Sequence, residues 1–338
     1  MMDGYVLYHL PFLPPRYAAW EAISQEVAAL RRLIAGEVVY VNPNAALPLR
    51  IPRLLFGFHR LPMLWRRERA GVMHHFYNPD PFPFPYLRLL RRPVIYSLTG
   101  GVDRLRRGYF SHMAAITVAD EASWRRLREM GVERLFLVRP GIETARFTPR
   151  PKPLGTTFHL LVGSAPWSRE QFRSKGVLAL LEAARREPRL RLTFLWRGIL
   201  AEEMARRVEA MGVASQVSVL DRLVDVDALL GEMHAAIVLA ATPTIVKAYP
   251  HSLMEALAAG KPVLVSRAIP MAMTVERLGC GVVVEQLSAE AILEAVERLQ
   301  SDYARYSRAA LESARPAFSQ EAMLASFRAV YRSVLRLA

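Results

Sequence analysis

Short apolar runs recur along this chain, and between them lie stretches whose apolar positions return every three or four residues. The runs at 4–10, 38–41, 72–76, 94–98, 115–119 and 135–138 read as strands, and the periodic stretches 17–33 and 121–130 as amphipathic helices. The pattern then starts again. Strands are expected at 158–162, 190–195, 217–220, 236–239, 263–265 and 281–284, and helices at 177–186, 201–211, 226–233, 252–259 and 289–300. A last amphipathic segment covers 320–337. Strands that alternate with helices, and that are apolar without polar alternation, belong in a parallel α/β sheet covered on both faces. Two such series in 338 residues fit two domains of ordinary size. The break falls after Arg139-Pro-Gly-Ile-Glu-Thr-Ala-Arg-Phe147, where Pro149, Pro151 and Pro153 form a stiff linker. The expected domains are therefore 1–150 and 151–319.

Two segments of the second series carry candidate chemistry. Gly163 to Gly176 follows a strand and precedes a helix, and it holds Arg169, Arg173 and Lys175. Backbone amides at a helix start, with a lysine beside them, suit an anion. The other segment is Lys247-Ala-Tyr249-Pro-His251-Ser252-Leu253-Met-Glu255, which runs through Ala256 to Ala259 into Gly260-Lys-Pro262-Val-Leu-Val265. Gly260 ends the short helix because it takes the left-handed conformation at low cost, and Pro262 forbids re-entry before the next strand. Glu255 stands in the first turns of that helix. Its two carboxylate oxygens suit a vicinal diol.

These two segments resemble the donor site of retaining glycosyltransferases of the GT-B fold, specifically glycosyltransferase family 4. That family usually reads Glu, seven residues, Glu. The second acid matches Glu255, whereas Lys247 stands at the first. The family usually has Gly-Arg early in the first loop and Lys-Gly at its end. Lys175-Gly176 matches, but Ser164 holds the arginine position. The stretch from Gly141 to Pro149 resembles the family's interdomain junction, and 320–338 its terminal helix, which returns to the first domain.

The resemblance implies an α/β protein with two Rossmann-like domains facing each other across a cleft. The first would serve the acceptor, and the second would bind a nucleotide-diphosphate sugar of the UDP or GDP type. It places Gly163, Arg169, Arg173, Lys175, Gly176, Arg197, Tyr249, Ser252, Leu253 and Glu255 around the donor. Lys247 and Thr99 stand at the positions nearest the transferred sugar, Thr99 where the family often has a histidine. The first strand-to-helix loop holds Ala18-Ala19 instead of Gly-Gly, and Gly100-Gly101 can offer the close backbone approach in their place. The implied chemistry is front-face substitution, with the departing phosphate deprotonating the acceptor hydroxyl. Cations and helix dipoles then matter more than an acid–base pair. No Cys/His ligand spacing occurs, so the expectation is metal-independent transfer with no bound cofactor. Lys247, Thr99, Ser164 and Ala18-Ala19 equally fit an inactive relative that only binds a nucleotide sugar or glycan. A sugar-nucleotide epimerase would need an acid–base pair that the motifs lack. His74 and His75 read either as acceptor-side residues or as buried strand-end histidines.

Composition adds a surface. The net charge is +14, and only 4 of the 45 basic residues are lysines, at 152, 175, 247 and 261. Most of the excess lies between Arg50 and Arg107, where arginines interleave with leucine, phenylalanine and tryptophan. Such a mixture suits an anionic membrane surface and a lipid or glycan acceptor. A nucleic acid is not expected, because no binding module accompanies the charge. With the single Cys280 no disulfide framework forms, and neither a secretory signal nor a membrane-spanning run is visible. The expected location is the cytoplasm, peripheral to the inner face of the cell membrane.

Overall fold

A computed structural model describes residues 2–14, 22–45, 50–70, 73–78, 82, 84–100, 102, 107–196 and 199–335. Two compact units emerge, one of Met1–Pro140 with Gln320–Ala338 and one of Gly141–Ser319. The α-helices of four residues or more are numbered below.

The first unit holds β1 (Met2–Leu10), α1 (Ala22–Leu33), β2 (Ile34–Tyr40), α2 (Leu61–Arg67), β3 (Met73–Asn78), β4 (Val94–Leu98), β5 (Ala115–Val118), α3 (Glu121–Glu129) and β6 (Leu135–Leu137). All strands are parallel, in the order β2-β1-β3-β4-β5-β6. Because side chains alternate across a strand, the sheet has two apolar faces. Val6, Tyr8, Met73, Tyr77 and Ile95 lie on one, against Ile23, Val27 and Leu30 of α1 and Phe327, Val330 and Tyr331 of the terminal helix. That helix (Gln320–Leu335) thus packs on the first sheet. Leu7, Phe76, Tyr96 and Ile116 lie on the other, under Phe56, Leu61, Leu64 and Tyr86 of a segment of short helices. Glycines, prolines and single-turn 3₁₀ elements break the helical period there, so the sequence pattern showed no element between 50 and 70.

The second unit holds β7 (Phe158–Val162), α4 (Gln171–Ser174), α5 (Val177–Arg186), β8 (Leu190–Leu195), α6 (Ala201–Ala210), β9 (Val217–Leu220), α7 (Val226–Gly231), β10 (Ala235–Val238), α8 (His251–Ala258), β11 (Val263–Ser266), α9 (Met271–Leu278), β12 (Gly281–Val284), α10 (Ala289–Ser301) and α11 (Tyr303–Ala309); the terminal helix is α12. Its parallel sheet runs β12-β11-β10-β7-β8-β9. The winding direction therefore reverses between β7 and β10. At such a switch point the loops leaving the two strands diverge, and their carboxyl ends border a natural crevice.

The chain passes between the units ten residues before the position that the proline pattern indicates. Residues 141–150 are fastened to the second unit. The Ile142 N–H donates to the Phe318 carbonyl at 3.0 Å, and Arg315 donates to the carbonyls of Thr144 and Phe147 at 3.0 and 3.1 Å. The buried Lys261 ammonium donates to the Arg150 carbonyl at 2.5 Å. These cations come from 111 to 171 residues away in sequence, so local composition carried no sign of them.

Candidate functional site

β7 and β10 deliver both motif loops to the switch point of the second sheet. The Gly163 N–H donates to the Ile237 carbonyl at 3.2 Å, which ties the end of β7 to β10. Farther out, the Ala241 N–H donates to the Ser174 carbonyl at 2.7 Å, joining the loop after β10 to the end of α4. Gly163 also lies against the start of α8. A Cβ built on it would fall 2.2 Å from Ser252 Oγ and 2.8 Å from Ser252 Cβ. Only a residue without a side chain permits this approach. Ser252 and Glu255 are three residues apart on α8, hence neighbours on one helical face. The first loop and the start of the Glu255 helix therefore meet at one end of one sheet.

Lys175 is the unusual group of this loop. It is 5% exposed, and its Nζ donates to the Ala165 carbonyl at 2.9 Å. Among the described residues no carboxylate pairs with it. Burial pushes its ammonium down to about 8. Gly176 follows at φ +66° and caps α5, whose first N–H groups have no partner within the helix. A Cβ on Gly176 would come 2.7 Å from Leu239 Cδ1, so this glycine too seats the loop against the end of β10. A buried cation beside a helix N-terminus suits an anion. An anion bound there favours the protonated amine and raises its titration point. Affinity for sulfate, an anion that does not titrate in this range, should therefore be flat below pH 8 and fall about tenfold per unit above it, as titration calorimetry across that range would show.

Ser164, at the family's arginine position, adopts φ +71°, a left-handed conformation unusual for a residue with a side chain. Arg169 and Arg173 are exposed, and Arg169 lies close enough to Glu203 on α6 to stabilise that carboxylate. Lys247 is exposed in the loop after β10. His251 opens α8, and burial, with Lys247 nearby, pushes it down to about 4, so it is neutral at pH 7. Glu255 is half-buried. Tyr249 and Leu253 belong to the packing. Tyr249 is 2% exposed, its hydroxyl meets Thr274 Oγ1 at 3.1 Å, and Leu253 is fully buried. Arg197, Ala18, Ala19 and Gly101 lie outside the described residues. Trp167, in the first loop, is 66% exposed, and its backbone N–H donates to Gln171 Oε1 at 2.8 Å. Sequence reading passed over it because a tryptophan in a polar loop carries no periodic signal.

In the first unit, Thr99 follows β4, with its N–H on the Asn78 carbonyl at 3.0 Å. His74 and His75 are fully buried. His9 bridges Tyr86 and His74 at 2.8 and 2.9 Å, and His74 reaches Glu68 at 3.0 Å. His75 bonds Tyr331 and Ser97 at 2.8 and 2.7 Å. Burial holds His9 and His74 below their ordinary range and His75 at about 3. Both histidines of the pair are thus packing residues, satisfied on both ring nitrogens. Among the described residues, no group of three or more His, Cys, Asp or Glu is placed to hold a metal ion.

Against known proteins, the family described as Glycosyl transferases group 1 matches residues 168–315. No curated protein matches in sequence. Solved structures match over nearly the whole chain. A glycosyltransferase from Rickettsia africae has a TM-score of 0.78 at 14% identity, covering 99% of both chains. A sucrose-phosphate synthase from Thermosynechococcus elongatus has 0.72 at 14%, covering 99% of this chain and 100% of its own. The Anabaena protein HepE, in complex with UDP and glucose, has 0.68 at 12%, covering 98% and 100%. The two six-stranded parallel sheets with their helices are those of the GT-B fold.

Proposed function

We propose that this protein is a glycosyltransferase of the retaining, family 4 type, which moves a sugar from a nucleotide-diphosphate sugar to an acceptor hydroxyl on a lipid or glycan. The observation that carries the reading is Lys175, a buried ammonium with no carboxylate partner among the described residues, at a sheet switch point and in the stretch that the glycosyltransferase family matches. In this reading the second unit binds the donor. Lys175 and the first turn of α5 hold the diphosphate, and Glu255 accepts from the ribose hydroxyls. HepE binds UDP and glucose, which supports a UDP-type donor. The first unit, with Thr99 at the end of β4, serves the acceptor, and the enzyme works on the cytoplasmic face of the membrane.

The bond from the anomeric carbon to the donor phosphate oxygen breaks, and the electron pair leaves with the nucleoside diphosphate. The acceptor oxygen bonds to the same face of that carbon, and its proton passes to the departing phosphate. Cationic and dipolar groups around the phosphate stabilise the charge as it develops. No metal is assigned a role. Lys247, where the family has an acid, would meet a phosphate or a uronic-acid carboxylate on the donor.

Incubation with UDP- and GDP-sugars tests this. The expected result is slow release of nucleoside diphosphate without acceptor, with the sugar freed as the same anomer by proton NMR. Binding of the nucleotide with no turnover of any donor would favour the second reading, a protein that holds a nucleotide sugar without transferring it. Lys247 and Ser164 are the residues that support that alternative.

A further inference from the structure

We infer that the segment of short helices on the first sheet, residues 50–92, is a preformed docking face for a bilayer that carries anionic headgroups. This deepens the lipid side of the proposed function by naming the surface that meets the membrane. Four large apolar side chains are exposed on it: Leu54 at 49%, Leu55 at 50%, Trp65 at 36% and Leu89 at 45%. They are held together. The Trp65 indole N–H donates to the Leu89 carbonyl at 2.9 Å, and the Arg91 guanidinium sits 5.5 Å from the Trp65 ring centre. The turn 53–55, which carries both leucines, packs on the turn 85–89. Arg53 pins it from beneath by stacking on Phe82 and donating to Asn78 Oδ1 at 3.3 Å.

Among the described residues, the charge exposed on this segment has one sign. Arg60, Arg66, Arg69, Arg88, Arg91 and Arg92 are exposed. Arg67 is engaged with Glu37 of β2 at 3.4 Å. Among the described residues of 50–92 the one carboxylate is Glu68, and it is 3% exposed. It faces inward, where its Oε1 accepts from the Arg91 N–H at 2.7 Å and lies 3.0 Å from His74 Nε2. Among its described residues the segment thus buries its acid and displays its guanidiniums. Leucine and tryptophan exposed among such arginines enter the headgroup boundary, while the arginines reach the lipid phosphates. A nucleic acid would use the same arginines but gains little from exposed leucines.

The test is sedimentation of the full chain with phosphatidylcholine vesicles, with and without phosphatidylglycerol. Binding is expected only to the anionic vesicles and should weaken with salt. Leu54→Ser with Leu55→Ser should cut vesicle affinity about tenfold or more. Each of Arg66→Ala, Arg69→Ala and Arg91→Ala should cut it about fivefold. Both leucines are half exposed, so the first pair leaves the core intact, which the melting temperature checks. UDP binding by calorimetry should be unchanged in every variant, so loss of the donor reading and loss of this one are separable. Equal binding to both vesicle types overturns the inference, as do variants that bind like the parent. Binding of single-stranded RNA that depends on the arginines but not on the leucines, without vesicle binding, assigns the face to nucleic acid and overturns it too.

Discussion

Replacing Lys175 by methionine should sharply weaken diphosphate binding and leave the free protein more stable. The two effects share one cause. In water a lysine titrates near 10.5, and here burial pushes it to about 8. Between those pH values the unfolded chain binds a proton that the folded chain does not. The folded protein therefore gains stability as pH rises from 8 to 10.5, and below pH 8 it carries the full cost of the buried charge. That cost is up to about 3 kcal/mol. Methionine removes it while filling a similar volume, at the loss of one hydrogen bond to the Ala165 carbonyl, worth about 1 kcal/mol. The net expectation is a gain of about 1–2 kcal/mol at pH 7, seen as a melting temperature a few degrees higher. Affinity for UDP should fall about 100-fold, because a buried charge-assisted contact to phosphate is lost. Uridine, which has no phosphate, should be affected far less. A variant less stable than the parent that still binds UDP would mean that Lys175 serves packing and not an anion.

Gly163→Ala should disable the site through the backbone. Its methyl group would stand 2.2 Å from Ser252 Oγ and 2.8 Å from Ser252 Cβ. Neither loop can yield freely, since the Gly163 N–H is bonded to Ile237 and Leu253 is fully buried one residue beyond Ser252. The strain should cost about 1–3 kcal/mol of stability. Shifting the start of α8 away from the first loop also displaces Glu255 relative to that loop, so UDP affinity should drop more than tenfold. Ser252→Gly removes both obstructing atoms and should recover most of the loss when combined with Gly163→Ala. A double-mutant cycle on melting temperature and UDP affinity measures this coupling. Additive effects of the two substitutions would show that the contact does not hold the site together.

Regular elements with a strong period were legible from residues alone. The strands at Val94–Leu98, Phe158–Val162, Leu190–Leu195, Val217–Leu220 and Gly281–Val284, and the helix Val177–Arg186, begin and end where the pattern places them. Their apolar side chains face neighbours that any parallel sheet supplies, so local composition suffices. Less regular segments were not legible. α9 (Met271–Leu278) follows a proline and precedes Gly279, and α11 is short and rich in arginine. The turns of 50–70 depend on the sheet face they cover.

For the candidate site, sequence alone determined the residue types: a glycine-flanked loop with a lysine, a helix with a glutamate, and a glycine and proline that end it. Sequence also determined that two strand–helix series follow each other, because hydrophobic period is a property of neighbours along the chain. Tertiary structure alone decided that Gly163 abuts Ser252, that Lys175 is buried while Arg169 and Arg173 are exposed, and that His74 and His75 are enclosed. It also decided that the chain passes between units at 140, because Arg315 and Lys261 come from far along the sequence to hold the following carbonyls. Burial, and the titration that follows from it, belongs to contacts between distant segments, and no local pattern encodes which side chain loses its water.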